Sequence, residues 1–199
     1  LRARPAVFFD RDGTLAHEVG YVNHVSRFRL YPFAVEAVRL VNRSGLLAVM
    51  VTNQAGVARG YFPESVIHEV HGVLQAALDD GDARLDGVYY CPHHPTAGEP
   101  PYRLDCDCRK PRPGLLRRAE AALGADLSRS WVVGDRHADV ALAHGVGARA
   151  ALVLTGYGRG ELAYQAASWP RPPDLVAEHA MEAVQRILAR AETEGSWPA

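Results

Sequence analysis

The stretch Ala6-Val7-Phe8-Phe9-Asp10-Arg11-Asp12-Gly13-Thr14 decides how the rest of the chain is read. Four apolar residues without polar alternation read as a strand buried on both faces, the habit of parallel sheets. The strand runs directly into two acids at i and i+2, followed by a glycine. Acids so placed can both reach one phosphoryl group, one attacking it while the other handles a proton. Gly13 allows a tight turn close to a ligand. Alone, these letters also spell an Asx-type turn. The buried strand in front raises them above a bare pattern.

The alternation continues outward from this strand. Apolar runs at 46–51, 88–90, 131–133 and 150–154 read as further strands. Helical stretches lie between them. Residues 33–43 carry Ala34, Val35, Val38 and Val41 near one face and stop at Gly45. Pro63 opens a helix with Val66, Ile67, Val70, Val73, Leu74 and Leu78. Residues 113–123 and 139–144 read as helices, and Ala180, Val184, Ile187, Leu188 and Ala191 mark a closing one. This order predicts an α/β fold, a Rossmann-like three-layer sandwich around a central parallel sheet. Asp10, Thr52, Cys91 and Asp135 all fall at C-terminal strand ends, the edge where such sheets bind ligands. One site is expected there.

Composition narrows the classes. With 48% hydrophobic and 23% charged residues, the 199-residue chain reads as one globular domain, residues 1–199. Its 23 acids and 22 bases leave a net charge of -1, which excludes a polybasic nucleic-acid binder or membrane anchor. The run at 6–9 is too short for a signal peptide, and nothing approaches the roughly 20 apolar residues of a membrane span. A cytoplasmic monomer is expected. The chain does not begin with Met, so it is either trimmed or a piece of a longer protein. One bias stands out: of the 22 basic residues only Lys110 is lysine. A lone lysine in an arginine-rich chain does a job that a planar guanidinium cannot, such as neutralising a phosphate or a carboxylate nucleophile as a compact charge.

The remaining polar signals fit the same edge. Thr52-Asn53-Gln54 offers a hydroxyl and backbone N–H groups for phosphate oxygens, or an ordinary strand-to-loop turn. Asp135 can join Asp10 around a hard cation, and magnesium prefers one or two carboxylates with water and phosphate oxygen. Asp139 serves either as a helix N-terminal acid or as metal support. All three cysteines gather with one histidine as Cys91-Pro92-His93 and Cys106-Asp107-Cys108. Three thiolates and an imidazole suit a closed, structural zinc. Its loop, 91–110, delivers Arg109 and Lys110. His68 and His71 read as a solvated or packed helix face, residues 156–160 as a flexible loop, and residues 169–173 as a rigid surface connector.

Together, in this order over about residues 6–160, the motifs resemble the haloacid dehalogenase superfamily of phosphohydrolases. Gly20-Tyr21-Val22, Tyr89-Tyr90-Cys91-Pro92-His93-His94-Pro95 and Cys106-Asp107-Cys108-Arg109-Lys110-Pro111 resemble its zinc-loop branch. The resemblance implies catalytic roles for Asp10, Asp12, Thr52 and Lys110. Asp10 is then the nucleophile, Asp12 the acid and later the base, and Thr52 and Lys110 hold the phosphoryl oxygens. It implies Mg²⁺ on Asp10, the Asp12 backbone carbonyl and Asp135, and Zn²⁺ on Cys91, His93, Cys106 and Cys108. Substrate contacts fall to Arg11, to a flap of Glu18, Val19, Gly20 and Tyr21, and to Asn53, Gln54, Ala55, Arg109 and Arg136. The zinc loop replaces a separate cap domain. An acid at Asp12 fits the phosphatases and mutases, whereas related transport ATPases have Thr there. Two positions depart from the branch: Ala55 stands where Ser is common and Arg136 where Lys is frequent. The implied substrate is a small phosphorylated sugar, a bisphosphate. Histidinol phosphate is the alternative, and a silent zinc-stabilised binding module is the reading from another class.

Overall fold

The computed structural model describes residues 3–194; Leu1 and Arg2, where the N-terminal reading began, and residues 195–199 lie outside it. Six strands form one parallel sheet: β1 (Ala6–Phe9), β2 (Leu47–Asn53), β3 (Gly87–Cys91), β4 (Trp131–Gly134), β5 (Arg149–Val153) and β6 (Leu175–Ala177). Their order is β3-β2-β1-β4-β5-β6. Chain order therefore runs outward from β1 on one side and from β4 on the other, which leaves a crevice at their C-terminal ends.

The strands alternate between two buried faces, as a period of two requires. Val7 and Phe9 point to one core, and Ala6 and Phe8 to the other. Ala48 and Met50 of β2 join the first, and Leu47, Val49 and Val51 the second. The first face is covered by α1 (Ala34–Arg43), α2 (Ser65–Asp80) and the closing helix α6 (Ala180–Glu194). In α1 the residues Ala34, Ala37, Val38 and Val41 are buried at helical spacing. The second face is covered by α3 (Gly114–Leu123) and α4 (His137–Gly145). Pro113 sits at the N-terminal boundary of α3, and Gly124, left-handed at φ 69, ends it.

Two elements differ from the sequence reading. The stretch 156–160 is not a free loop: α5 (Gly158–Tyr164) begins inside it. A Cβ on Gly158 would lie 1.8 Å from the Val153 carbonyl oxygen, so glycine is required there for packing. β6 is an edge strand of three residues, too short to announce a period. Among the described residues no helix is long and apolar enough to cross a membrane.

Candidate active site

The crevice between β1 and β4 holds Asp10 and Asp135, each one residue past its strand. The Asp10 backbone N–H donates to the Val133 carbonyl at 2.9 Å, which ties the two strand ends together. The cleft above them measures about 300 Å³, a size that suits a small ligand. Asp10, Asp12, Thr52, Lys110 and Asp139 line it, with Glu18, Gly20, Tyr21, Asn53, Gln54, Ala55, Arg109 and Arg136.

Lys110 is the hub. It is 5% exposed, and its ammonium meets three acceptors: Asp10 Oδ1 at 2.9 Å, Asp139 Oδ1 at 2.7 Å and the Val51 carbonyl at 3.1 Å. The hydrogen bonds to Asp139 and Val51 take two of its three N–H groups, and the ion pair with Asp10 turns the third toward the nucleophile candidate. Burial works against the charged amine, but Asp10 and Asp139 outweigh it and hold its pKa above the usual lysine range. The Lys110 backbone is clamped by Asn53, whose Oδ1 accepts its N–H at 3.0 Å and whose Nδ2 donates to its carbonyl at 3.2 Å. Asp139 takes the helix N-terminal role, Oδ2 accepting the Arg136 N–H at 3.2 Å at the start of α4, while Oδ1 seats Lys110.

The acids outnumber the ammonium. Asp10, Asp135 and Asp139 bring carboxylate oxygens within 4.8 Å of one another. Burial pushes Asp10 up to about 6, with Lys110 pulling down and Asp139 and Asp12 pushing up. Burial, then Asp10 and Asp139, push Asp135 up to about 8. Asp135 Oδ2 accepts the Tyr157 N–H at 2.8 Å, whereas its buried Oδ1 has no partner. An orphaned carboxylate oxygen among crowded acids fits a hard divalent cation. Gly13 and Gly156 make room for Asp135: both have positive φ, and a Cβ on either would come within 2.1 Å of its Oδ2. Residues 155–157 therefore belong to the site. Thr155 Oγ1 also donates to the Gly13 carbonyl at 2.6 Å.

Arg11 and Val19, assigned to substrate by sequence, do not line the cleft. Arg11 is 1% exposed and turns inward to the carboxyl of Asp12. Val19 packs against the first core, and its carbonyl accepts from Arg27 at 3.0 Å. The rest of the flap reaches outward. Tyr21 meets Tyr61 edge-on at 4.8 Å, and the Arg136 guanidinium lies 3.8 Å above the Tyr157 ring. Tyr157 lines the cleft, Tyr61 touches the lining residue Tyr21 and His71 sits behind Arg11. None of the three carried a sequence signal for the site, because loop or helix packing that no local pattern encodes brings them there.

Beside the cleft, Cys91, His93, Cys106 and Cys108 bring one ligand atom each within 4.8 Å of the others. Sulfur–sulfur distances are 3.5 Å for Cys91–Cys106 and 3.2 Å for Cys106–Cys108, and His93 Nδ1 lies 3.4 Å from Cys108 Sγ. These are not disulfides; tetrahedral zinc with bonds of about 2.3 Å places its sulfurs roughly 3.8 Å apart, close to this cluster. Hydrogen bonds from Cys91, then Cys106 and His93, pull Cys108 down to about 5 against burial, and Cys91 is pushed up in turn. The set therefore yields its first thiolate readily, as a metal ligand requires.

Residues 107–183 match the family described as HAD-hydrolase-like. The D-glycero-beta-D-manno-heptose-1,7-bisphosphate 7-phosphatase of Escherichia coli K12 is 41% identical over 167 residues, covering 83% of this chain and 87% of that one. The chain belongs to the haloacid dehalogenase-like (HAD) family. The Pasteurella multocida protein of the same name is 42% identical over 154 residues, covering 77% of this chain and 83% of that one. Among solved HAD structures, a D,D-heptose 1,7-bisphosphate phosphatase from B. bronchiseptica, complexed with magnesium and phosphate, superposes with TM-score 0.82. It is 28% identical, with 94% of this chain and 99% of that one covered. A putative HAD-like phosphatase from Mesorhizobium loti gives TM-score 0.80 at 32% identity, covering 97% and 88%. The named heptose relatives are phosphoric monoester hydrolases.

Proposed function

We propose that this protein is a Mg²⁺-dependent phosphatase that removes the 7-phosphate of D-glycero-D-manno-heptose 1,7-bisphosphate, in the biosynthesis of nucleotide-activated heptose. The observation that carries the reaction class is the buried Asp10–Lys110–Asp139 array at the floor of the cleft. The names of the relatives carry the substrate.

Once ionised, three carboxylates around one ammonium carry two unmatched negative charges, the charge of a divalent cation. Asp10, Asp135 and the Asp12 backbone carbonyl would hold the magnesium, which neutralises charge on the phosphoryl oxygens. The chain's own groups do the bond-making. An Asp10 carboxylate oxygen attacks phosphorus, and the bond from phosphorus to the sugar O7 breaks. The Asp12 carboxyl gives its proton to that oxygen. Water then attacks phosphorus of the aspartyl-phosphate and yields its proton to Asp12, so inorganic phosphate leaves and Asp10 is restored. Lys110 and the Thr52 hydroxyl hold the phosphoryl oxygens meanwhile. Thr52 Oγ1 accepts from Gln54 Nε2 at 2.9 Å, so its own hydrogen is free to donate.

Glu18, Gly20 and Tyr21 would close over the sugar, with Asn53, Gln54 and Ala55 also lining the cleft. Arg109 and Arg136 line it too, as cations suited to the second phosphate. The cysteine–histidine set holds a structural zinc that braces the loop into Arg109 and Lys110. Free, clustered thiols support a cytoplasmic setting, and the protein acts as a monomer on a small molecule. A panel of both heptose bisphosphate anomers, histidinol phosphate and simple phosphomonoesters, scored by kcat/KM with Mg²⁺, tests the reading. Preference for a heptose bisphosphate is expected. Preference for histidinol phosphate overturns the substrate, and no turnover of any ester overturns the activity.

A further inference from the structure

Arg11 stands between the two motif aspartates and is among the largest fully buried side chains. Its guanidinium does not line the cleft, and each of its three nitrogens has a partner. Nε donates to Asp12 Oδ1 at 3.0 Å and Nη2 to Asp12 Oδ2 at 2.8 Å, a two-pronged fork. Nη2 also donates to Gln54 Oε1 at 2.9 Å, and Gln54 Nε2 returns to Asp12 Oδ2 at 2.9 Å. On the far side, Nη1 lies 3.4 Å from Nε2 of His71, on α2. Burial first, then Arg11 and His68, push His71 down to about 3. Its imidazole is therefore neutral and accepts from Nη1. The Phe28 ring lies 5.7 Å from the guanidinium carbon.

The donors fall unequally on the two oxygens of Asp12. A carboxylate oxygen has two lone-pair sites. Oδ2 receives two N–H groups, from Arg11 and Gln54, whereas Oδ1 receives one. Only Oδ1 keeps an open site, and the fork fixes the carboxyl plane that aims it.

We propose that Arg11, braced by His71, is a positioning residue for Asp12 rather than a substrate ligand, and that it makes Oδ1 the oxygen that carries the proton to the leaving group. The inference rests on the phosphatase reading above. It gives a role to a buried guanidinium, which is costly in this motif unless its nitrogens are paired. It also brings α2 into the chemistry, since His71 reaches the acid only through Arg11. A lysine at position 11 keeps the charge but offers no planar fork.

Leaving-group dependence reads the proposal. A sugar alkoxide needs its proton delivered as the bond breaks, whereas p-nitrophenolate leaves with little help. General acid catalysis is worth about 10²–10⁴-fold, so a misaimed acid costs the two substrates differently. The test compares kcat/KM for heptose 1,7-bisphosphate and p-nitrophenyl phosphate in wild type, Arg11→Lys and His71→Phe. The ratio within one protein does not depend on its folded fraction. In Arg11→Lys the sugar-to-aryl ratio is expected to fall at least ~10-fold, and in His71→Phe, which keeps an aromatic ring but removes the acceptor, ~3-fold. His71→Phe carries the test if Arg11→Lys does not fold. Unchanged ratios with an active wild type overturn the proposal and leave the phosphatase reading intact. A wild type that turns over neither ester overturns both.

Discussion

Replacing Lys110 with arginine preserves charge and removes only shape, so it isolates what the buried ammonium contributes. In the native seat three N–H groups leave one nitrogen toward Asp10, Asp139 and the Val51 carbonyl, at 2.9, 2.7 and 3.1 Å. Hydrogen bonds between charged groups contribute about 1.5–3 kcal/mol each. A guanidinium spreads its donors over a flat fork and cannot converge three of them on these acceptors. The site is 5% exposed, so the larger head also has to displace its neighbours, at about 1–3 kcal/mol. Lys110→Arg is therefore expected to destabilise by at least ~2 kcal/mol and to lower kcat by at least ~10²-fold, the scale of losing one preorganised donor. Lys110→Met goes further, because it leaves Asp10 and Asp139 buried without a counter-charge, a change of about 3–5 kcal/mol. Denaturant titration gives the stability and phosphate release gives kcat, both in saturating Mg²⁺. An arginine variant with wild-type midpoint and kcat within ~3-fold of wild type refutes the reasoning.

Two further predictions concern the frame of the site. Asp174 is pushed up by burial but pulled down more by the Ala150 N–H, His144 and Arg171, so its folded pKa lies below the ordinary carboxylate value. The unfolded state then binds more protons, and the stabilisation is present above about pH 3.9 and lost as pH falls through the folded pKa. Asp174→Asn should cost ~1 kcal/mol at neutral pH, with the gap closing in acid; a gap that persists unchanged to pH 2 contradicts this. For the zinc loop, metal analysis of protein purified without chelator should find about one zinc per chain, and Cys108→Ser should lower both zinc content and kcat. A metal-free protein with undiminished stability and turnover contradicts that assignment.

The parallel sheet was legible because β1, β2 and β4 are buried on both faces and read as unbroken apolar runs. The metal candidates were legible because their side chains sit at strand ends or within one loop, where spacing along the chain is close to spacing in the fold. Arg11 was not, because its neighbours Gln54 and His71 are 43 and 60 residues away in the chain. A basic residue between two acids beside a phosphate motif looks like a ligand until the direction of its side chain is known. Tyr157 was hidden for a related reason. The glycines around it resemble a flexible loop, yet Gly156 is small in order to pass Asp135, not in order to move. β6 is only a three-residue edge strand and α5 only seven residues beginning at a glycine, so neither shows a periodic signature.

The central claim is that Asp10 becomes phosphorylated during turnover. The direct measurement is mass spectrometry of acid-quenched enzyme mixed with heptose 1,7-bisphosphate and Mg²⁺. The account predicts a phosphoryl group on the peptide carrying Asp10, absent from Asp10→Asn, which also releases no phosphate. Undiminished phosphate release by Asp10→Asn, with no phosphorylated peptide in either protein, contradicts it.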